Sequence, residues 1–188
     1  MNRSDLRQLS YAEFGELLDT LTERVARSLT ARGGQVHMIA PILRSGAFPG
    51  MHLASKLGVQ PTLPLQYKHS GEGIKQGFAP PMLIGGFPER PTILLTDTNT
   101  VTGAIARRAI ADLRALYPRA TILFATVVID QALGPFDGTT ESFYAIKSNE
   151  ARRLTDAEAK ARGITNECFV FPWEDADEQW REICAAEM

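Results

Sequence analysis

Apolar residues recur at helical spacing through Leu6, Leu9, Phe14, Leu17, Leu18, Leu21 and Val25. Ser10 and Glu13, in Ser-Tyr-Ala-Glu, form a capping box, so the pattern predicts one long amphipathic helix over 11–31, closed by Gly33-Gly34. Val36 to Ile42 is a continuous apolar run and predicts a strand; His37 within it reads as structural rather than as a ligand. A sharp turn, Pro41-Ile-Leu-Arg-Ser-Gly46, leads into a helical pattern from Ala47 to Leu57 that Gly58 ends. Pro61 to Tyr67 reads as a further short strand, interrupted by Pro64, with Lys68 and His69 at its end.

Periodicity is absent from Ser70 to Arg90, which carries five glycines and three prolines. A stretch of that length predicts a lid, a hairpin excursion or a disordered loop, and its place between two candidate anion sites favours a mobile lid over about 70–90. The apolar run Ile93 to Leu95 then suits a strand buried on both faces. Asp97 and a polar turn, Thr98 to Gly103, separate it from a crossover helix over Ala104 to Leu116, ended by Tyr117-Pro118. Thr121 to Ile129 is a strongly apolar strand, and strand, helix, strand at this spacing marks a βαβ unit. Phe143 to Ile146 reads as a strand and Thr155 to Arg162 as a short helix. The tail, Phe169-Val-Phe-Pro-Trp-Glu-Asp, reads as a terminal strand covering a pocket. The predicted class is α/β, a parallel twisted sheet flanked by helices.

Length and charge narrow the picture further. A chain of 188 residues suits one domain, and the 44% hydrophobic content suits a sizeable core. A net charge of -2 gives no general attraction to nucleic acid or to an anionic membrane. Cys168 and Cys184 lie far apart with neither metal-ligand nor disulfide-framework spacing, which fits a reduced compartment. The N-terminus lacks the apolar core of a signal peptide, and no run is long enough to cross a bilayer, so a cytoplasmic protein is expected.

The chemistry concentrates in two turns. After Ile93–Leu95, the hydroxyls of Thr100 and Thr102, the close approach allowed by Gly103 and the first N–H groups of the following helix form an arrangement that holds phosphate. A plain βα turn with a threonine cap reads equally well from this stretch alone. Arg44, in the 43–46 turn, is either a surface residue or the cation of a second anion site. Ligands of open parallel sheets bind at the carboxyl ends of strands, where both turns are expected. Together they could hold a ligand with phosphate at two places and hydroxyls between, with Asp97 accepting from ribose hydroxyls or lying near a magnesium ion carried by a diphosphate.

Ile93-Leu-Leu-Thr-Asp-Thr-Asn-Thr-Val-Thr-Gly103 resembles the phosphoribosyl diphosphate (PRPP) motif of type I phosphoribosyltransferases. Pro41-Ile-Leu-Arg-Ser-Gly46 resembles their diphosphate loop, especially that of uracil phosphoribosyltransferases. Leu116-Tyr-Pro-Arg-Ala120 and Phe169-Val-Phe-Pro-Trp-Glu174 resemble matching parts of bacterial xanthine-guanine and related purine enzymes; the four segments stand in the family's order, and the resemblance covers roughly residues 10 to 175. The resemblance implies one phosphoribosyltransferase-like domain with a core over about 30–148, the 11–31 helix, and a small hood from about 149–188 with the N-terminal segment. It implies transfer of 5-phosphoribosyl from PRPP to a nitrogenous base or other acceptor, with diphosphate released. Asp97 would be catalytic, facing the ribose hydroxyls. Leu43, Arg44, Ser45 and Gly46 would contact the diphosphate, helped by Lys68, and Thr98, Asn99, Thr100, Val101, Thr102, Gly103, Ala104 and Ile105 would line the phosphoribosyl site. Cys168 and Phe169 would lie at the base, Mg²⁺ would arrive with PRPP rather than on protein ligands of its own, and the protein would be a homodimer.

The sequence departs from that family at identifiable places. Thr98 stands where a second acid is usual, Val101 where purine enzymes carry a further Asp, Ile105 where a hydroxyl meets phosphate, Val128 where a Lys meets the 6-oxo group, and Cys168 where an aromatic stacks on the base. One missing hydrogen bond to a charged phosphate costs about 1.5–3 kcal/mol. Three function classes follow: a transferase with an atypical acceptor, a PRPP- or nucleotide-binding regulator without turnover, and an unrelated hydrolase or oxidoreductase. The last lacks both the Gly-x-Ser-x-Gly elbow and the Gly-x-Gly-x-x-Gly fingerprint.

Overall fold

The structure, a computed structural model, describes residues 3–70, 73–78 and 87–186. After a 3₁₀ turn at Arg3–Asp5 the elements run β1 (Leu6–Gln8), α1 (Tyr11–Arg32), β2 (Met38–Leu43), α2 (Ala47–Leu57), β3 (Leu65–Ser70), β4 (Gly73–Gln76), β5 (Thr92–Thr100), α3 (Ala104–Leu116), β6 (Thr121–Asp130), β7 (Glu141–Ser148), α4 (Asp156–Ala161), β8 (Cys168–Val170) and α5 (Ala176–Ala186). Six strands form one sheet in the order β4-β3-β2-β5-β6-β7, parallel except for the β3–β4 hairpin. The chain is α/β, with helices on both faces of a parallel sheet.

The apolar runs predicted as fully buried strands are buried, because each strand sends alternate side chains into two cores. Ile39, Leu94, Leu123 and Phe143 pack with α1 and α2, including Phe14, Leu21, Val25 and Leu53. Met38, Ala40, Ile93, Leu95, Ile122 and Phe124 pack on the other face with Ala109, Ile110 and Leu113 of α3. The capping box at Ser10 is formed, with Glu13 N–H donating to Ser10 Oγ and Ser10 N–H donating to Glu13, and Gly33 closes α1 in the left-handed region at φ 60°.

Element boundaries differ from the sequence reading in three places. The third strand lies at Leu65–Ser70 rather than 61–67, because Pro61 and Pro64 cannot supply ladder N–H groups. The strand predicted at 93–95 runs on to Thr100, absorbing half of the expected polar turn: Thr96, Thr98 and Thr100 are buried, and β-branched threonine fits a pleated sheet. Within the aperiodic 70–90 stretch, Gly73–Gln76 forms a hairpin strand with β3, and residues 71–72 and 79–86 of the expected lid lie outside the described residues. Two elements carried no strong local signal. β1 is three residues long and pairs with β8 across most of the chain, Leu6 opposite Cys168 and Gln8 opposite Val170. α5 follows Asp175, whose Oδ1 accepts from the N–H groups of Asp177 and Glu178 as a helix cap.

Candidate functional site

Parallel neighbours β2 and β5 deliver their carboxyl ends side by side, with Pro41 in register with Thr96. The two chemistry-bearing turns therefore stand next to each other. On the β2 side, Leu43 is joined to Arg44 by a cis peptide, and Gly46 begins the approach to α2. Gly46 N–H donates to Ile42 O at 2.9 Å, and Thr96 Oγ1 donates to Gly46 O at 2.9 Å. A Cβ on Gly46 would fall 2.5 Å from both Ile42 O and Thr96 O, so the tight fit of turn to strand requires glycine here.

On the β5 side, Asp97 is held back against its own strand. Its Oδ1 accepts from Thr98 N–H at 2.8 Å and its Oδ2 from Thr100 Oγ1 at 3.4 Å. Although its surface is only half-buried, protein surrounds the carboxyl closely, and burial pushes its pKa up to about 7 against the pull of those two hydrogen bonds. Gly103 is left-handed at φ 70°, and a Cβ on it would meet Phe136 Cε1 at 2.6 Å. Thr102 Oγ1 accepts from Ala104 N–H at 3.3 Å, and α3 starts there. Asp97 and residues 99–106 line a depression of about 280 Å³ at that helix N-terminus.

Beside it lie two further compartments. The larger, about 800 Å³, runs from Arg44, Ser45 and Phe48 to Trp173, Glu174 and Gln179. Its wall is an aromatic stack: Trp173 lies parallel to Phe48 at 3.8 Å and to Phe171 at 5.4 Å, with Phe14 edge-on. This stack ties α2 to the segment after β8. The smaller compartment, about 120 Å³, joins the other two, sharing Asn99 with the first and Ser45, Glu174 and Gln179 with the second.

Glu150, just beyond the carboxyl end of β7, occupies that smaller compartment. Its Oε2 accepts from Asn99 Nδ2 at 3.1 Å, and its Oε1 from the Cys168 thiol at 3.3 Å. Burial pushes the Glu150 carboxyl above its ordinary range; the negative charges of Asp130 and Glu174 add to the shift, and the two hydrogen bonds oppose it. Burial, and then Glu150, push the Cys168 thiol upward as well, so it stays protonated. Glu150 was not singled out in the sequence. The available signal was its place after a strand end, and reading that strand as closing at Ile146 left the acid in an unassigned loop.

The predicted residues divide as follows. Arg44 and Ser45 face the large compartment, and Asp97 with the whole 99–105 run lines the depression at α3. Thr98, Cys168 and Phe169 line the small compartment with Asn99; Phe169 is also a core residue, with the Arg7 guanidinium 5.8 Å above its ring. Leu43 borders none of the three, and neither does Lys68, which is exposed on β3. Val128 is fully buried in β6. Among the described residues no group of three His, Cys, Asp or Glu side chains could hold a metal ion, and no helix is long and apolar enough to cross a membrane.

No family model and no curated protein matches this sequence. Solved structures do. A purine phosphoribosyltransferase from Pyrococcus horikoshii is 16% identical with a TM-score of 0.65, the alignment covering 91% of this chain and 95% of that one. The xanthine-guanine-hypoxanthine phosphoribosyltransferase of Helicobacter pylori is 12% identical with a TM-score of 0.62, covering 94% and 99%. A hypothetical protein from Neisseria gonorrhoeae with bound ppGpp is 16% identical with a TM-score of 0.60, covering 96% and 97%. The chain therefore has the type I phosphoribosyltransferase fold.

Proposed function

We propose that the protein transfers a 5-phosphoribosyl group from PRPP to a nitrogen acceptor and releases diphosphate. The observation that carries this reading is the adjacency of the two turns: the 43–46 turn and the 97–103 turn sit side by side at the carboxyl ends of β2 and β5, with a third compartment opening between them.

The 5′-phosphate then sits at the N-terminus of α3, against Thr102 and the left-handed Gly103, where the first-turn N–H groups that lack an intrahelical partner and the helix dipole favour an anion. Thr100, whose hydroxyl donates to Thr126 Oγ1 and Asp97 Oδ2, lines the same depression and would offset part of what Ile105 does not supply. Asp97 accepts from the ribose hydroxyls once ionised. Arg44, Ser45 and the N-terminal end of α2 receive the diphosphate. In the reaction the acceptor nitrogen bonds to C1 of the ribose as the C1–O bond to diphosphate breaks. The bonding pair leaves with the diphosphate, and the proton displaced from the acceptor nitrogen passes to water. A Mg²⁺ ion bringing water and diphosphate oxygens as its ligands would need little from the protein; Asp97, on the lining of the α3 depression, would offer it a carboxylate, and the ion would supply charge neutralisation of the leaving group. A homodimer in the cytoplasm belongs to the same reading.

Binding of Mg²⁺-PRPP, ribose 5-phosphate, nucleoside monophosphates and ppGpp, measured by calorimetry, tests it. Saturation by PRPP at a hundred times its Kd adds about 2.7 kcal/mol of stability, seen as a raised melting point. Diphosphate release with a panel of bases follows, and Asp97→Ala abolishes it. The second reading is a nucleotide-binding regulator without turnover. It is favoured by the structural likeness to the ppGpp-bound Neisseria protein and by Val101 and Ile105 at positions where polar side chains are usual. A response to nucleotides with silence toward PRPP selects it, and Asp97→Ala then only weakens binding.

A further inference from the structure

The small compartment has an uneven inventory of hydrogen-bonding groups. The Asn99 side-chain amide and the Cys168 S–H both donate to Glu150, and further side-chain donors on the lining, Ser45 and Gln179, stand where the compartment joins the large one. Around Glu150 the groups left over include buried acceptors. Asn99 Oδ1 is buried with no partner, and each Glu150 oxygen has a lone pair beyond its single side-chain donor. Thr98, 99% buried, has a hydroxyl without a partner, which serves either role. Glu174 adds a second carboxylate, whose Oε2 accepts from Phe171 N–H at 2.9 Å. None of the described residues lining the compartment is a cation. Buried acceptors left without donors cost free energy, so a ligand that brings N–H groups is favoured there and one that brings carbonyl oxygens meets like partial charge.

We infer that the compartment formed by Thr98, Asn99, Glu150 and Cys168 takes the amino or amidine edge of a nitrogen heterocycle, with Glu150 selecting amino-bearing acceptors over oxo-bearing ones. This rests on reading the cleft as a phosphoribosyl-transfer site. Position supports it: Asn99 is shared with the depression lined by Asp97 and residues 99–106, so an edge bound against Glu150 lies next to the proposed ribose. Size supports it too. About 120 Å³ is roughly four waters' share of liquid volume, enough for the polar edge of a ring and too little for a nucleotide. The apolar walls, Phe169 and Phe171, suit the body of such a ring.

The test is calorimetry with two amino–oxo pairs of equal ring size, adenine against hypoxanthine and cytosine against uracil. Saturating ribose 5-phosphate is present so that no transfer occurs. The expected result is that the amino member of at least one pair binds about tenfold to a hundredfold tighter than its oxo partner. Glu150→Gln, which can donate to an oxo group, removes that preference and leaves the ribose 5-phosphate affinity unchanged. Equal or tighter binding of the oxo members, no binding of any base, or a preference that survives in E150Q overturns the inference. If E150Q loses its melting transition, the amino-to-oxo ratio of the parent protein decides. The two readings fail separately. Selection against amino bases with PRPP still bound overturns the acceptor assignment alone. Amino-base binding that depends on Glu150, with neither PRPP nor ribose 5-phosphate bound, overturns the transfer reaction alone.

Discussion

Gly46→Ala tests whether the contact between the 43–46 turn and β5 is as tight as the geometry requires. The added methyl group would lie 2.5 Å from two backbone carbonyl oxygens, Ile42 O and Thr96 O. A carbon and a carbonyl oxygen normally approach no closer than about 3.3 Å, so the turn and α2 must move away from β5 by close to 1 Å. Neither oxygen can rotate aside, since both belong to central strands of the sheet. Forcing one carbon into such a site costs about 1–3 kcal/mol. The same displacement weakens the buried hydrogen bond from Thr96 Oγ1 to Gly46 O, worth roughly 0.5–1.5 kcal/mol. The expected destabilisation is therefore about 1.5–4.5 kcal/mol, or roughly 3–18 °C in melting temperature for a chain of this size. Urea unfolding with an unchanged m-value and a lowered midpoint would locate the loss in the native state. Gly34→Ala is the control, because a Cβ there meets nothing within 4 Å. A Gly46→Ala protein that melts within about 2 °C of the parent would refute the reasoning, since it would mean that α2 slides off β5 at no cost.

Three further outcomes follow from other parts of the chain. Gly15→Ala, mid-helix in α1 with open space at its Cβ, stabilises by about 0.5–1 kcal/mol in urea unfolding, and a destabilisation would contradict the helical packing there. Ser10→Ala costs about 1 kcal/mol near neutral pH; the Ser10 N–H and then its hydroxyl hold the Glu13 carboxyl down to about 2, so the share carried by the hydroxyl-to-carboxylate bond is present above the ordinary carboxylate range and lost as pH falls through 4 toward 2, and the gap between parent and variant melts narrows in acid. Asp97 has the opposite sign: with its pKa raised to about 7, the native state binds more protons than the unfolded chain between about pH 4 and 7. Stability therefore falls as pH rises through that window, and Asp97→Asn flattens this part of the profile; an unchanged slope in the variant would remove Asp97 as its source.

How much of this was legible in the sequence depends on whether a feature is local. The 11–31 helix announced itself because period, capping box and terminal glycines all lie within one stretch, and the cores of β2, β5 and β6 did so because a strand buried on both faces has no polar positions to dilute it. The far end of β5 did not, because Thr98 and Thr100 read as turn residues until the strand is seen to run on past Asp97, with Gly46 O and Thr126 Oγ1 meeting the hydroxyls of Thr96 and Thr100. β1 was invisible for a stronger reason: three residues specify nothing alone, and this strand exists because β8, together with Arg7 reaching Glu167 at 3.1 Å, receives it.

The candidate site divides along the same line. The turns at 43–46 and 97–103 are consecutive in sequence, so their chemistry could be read before their adjacency was known. The Asn99–Glu150–Cys168 arrangement draws on three segments joined only by the sheet and by the layer that β1 and β8 build beside it. That difference bears on specificity. A site for phosphate needs backbone N–H groups and a helix end, which a short motif supplies by itself, whereas a site that distinguishes one heterocycle from another needs side chains converging from several elements. On the proposed reading, departures within the motif, such as Val101 and Ile105, therefore bear chiefly on how tightly a phosphoribosyl group is held. On the same reading, the choice of acceptor rests with residues such as Glu150, whose partners no local pattern connects, and substitution at Glu150 is expected to change which base is bound while leaving phosphate recognition intact.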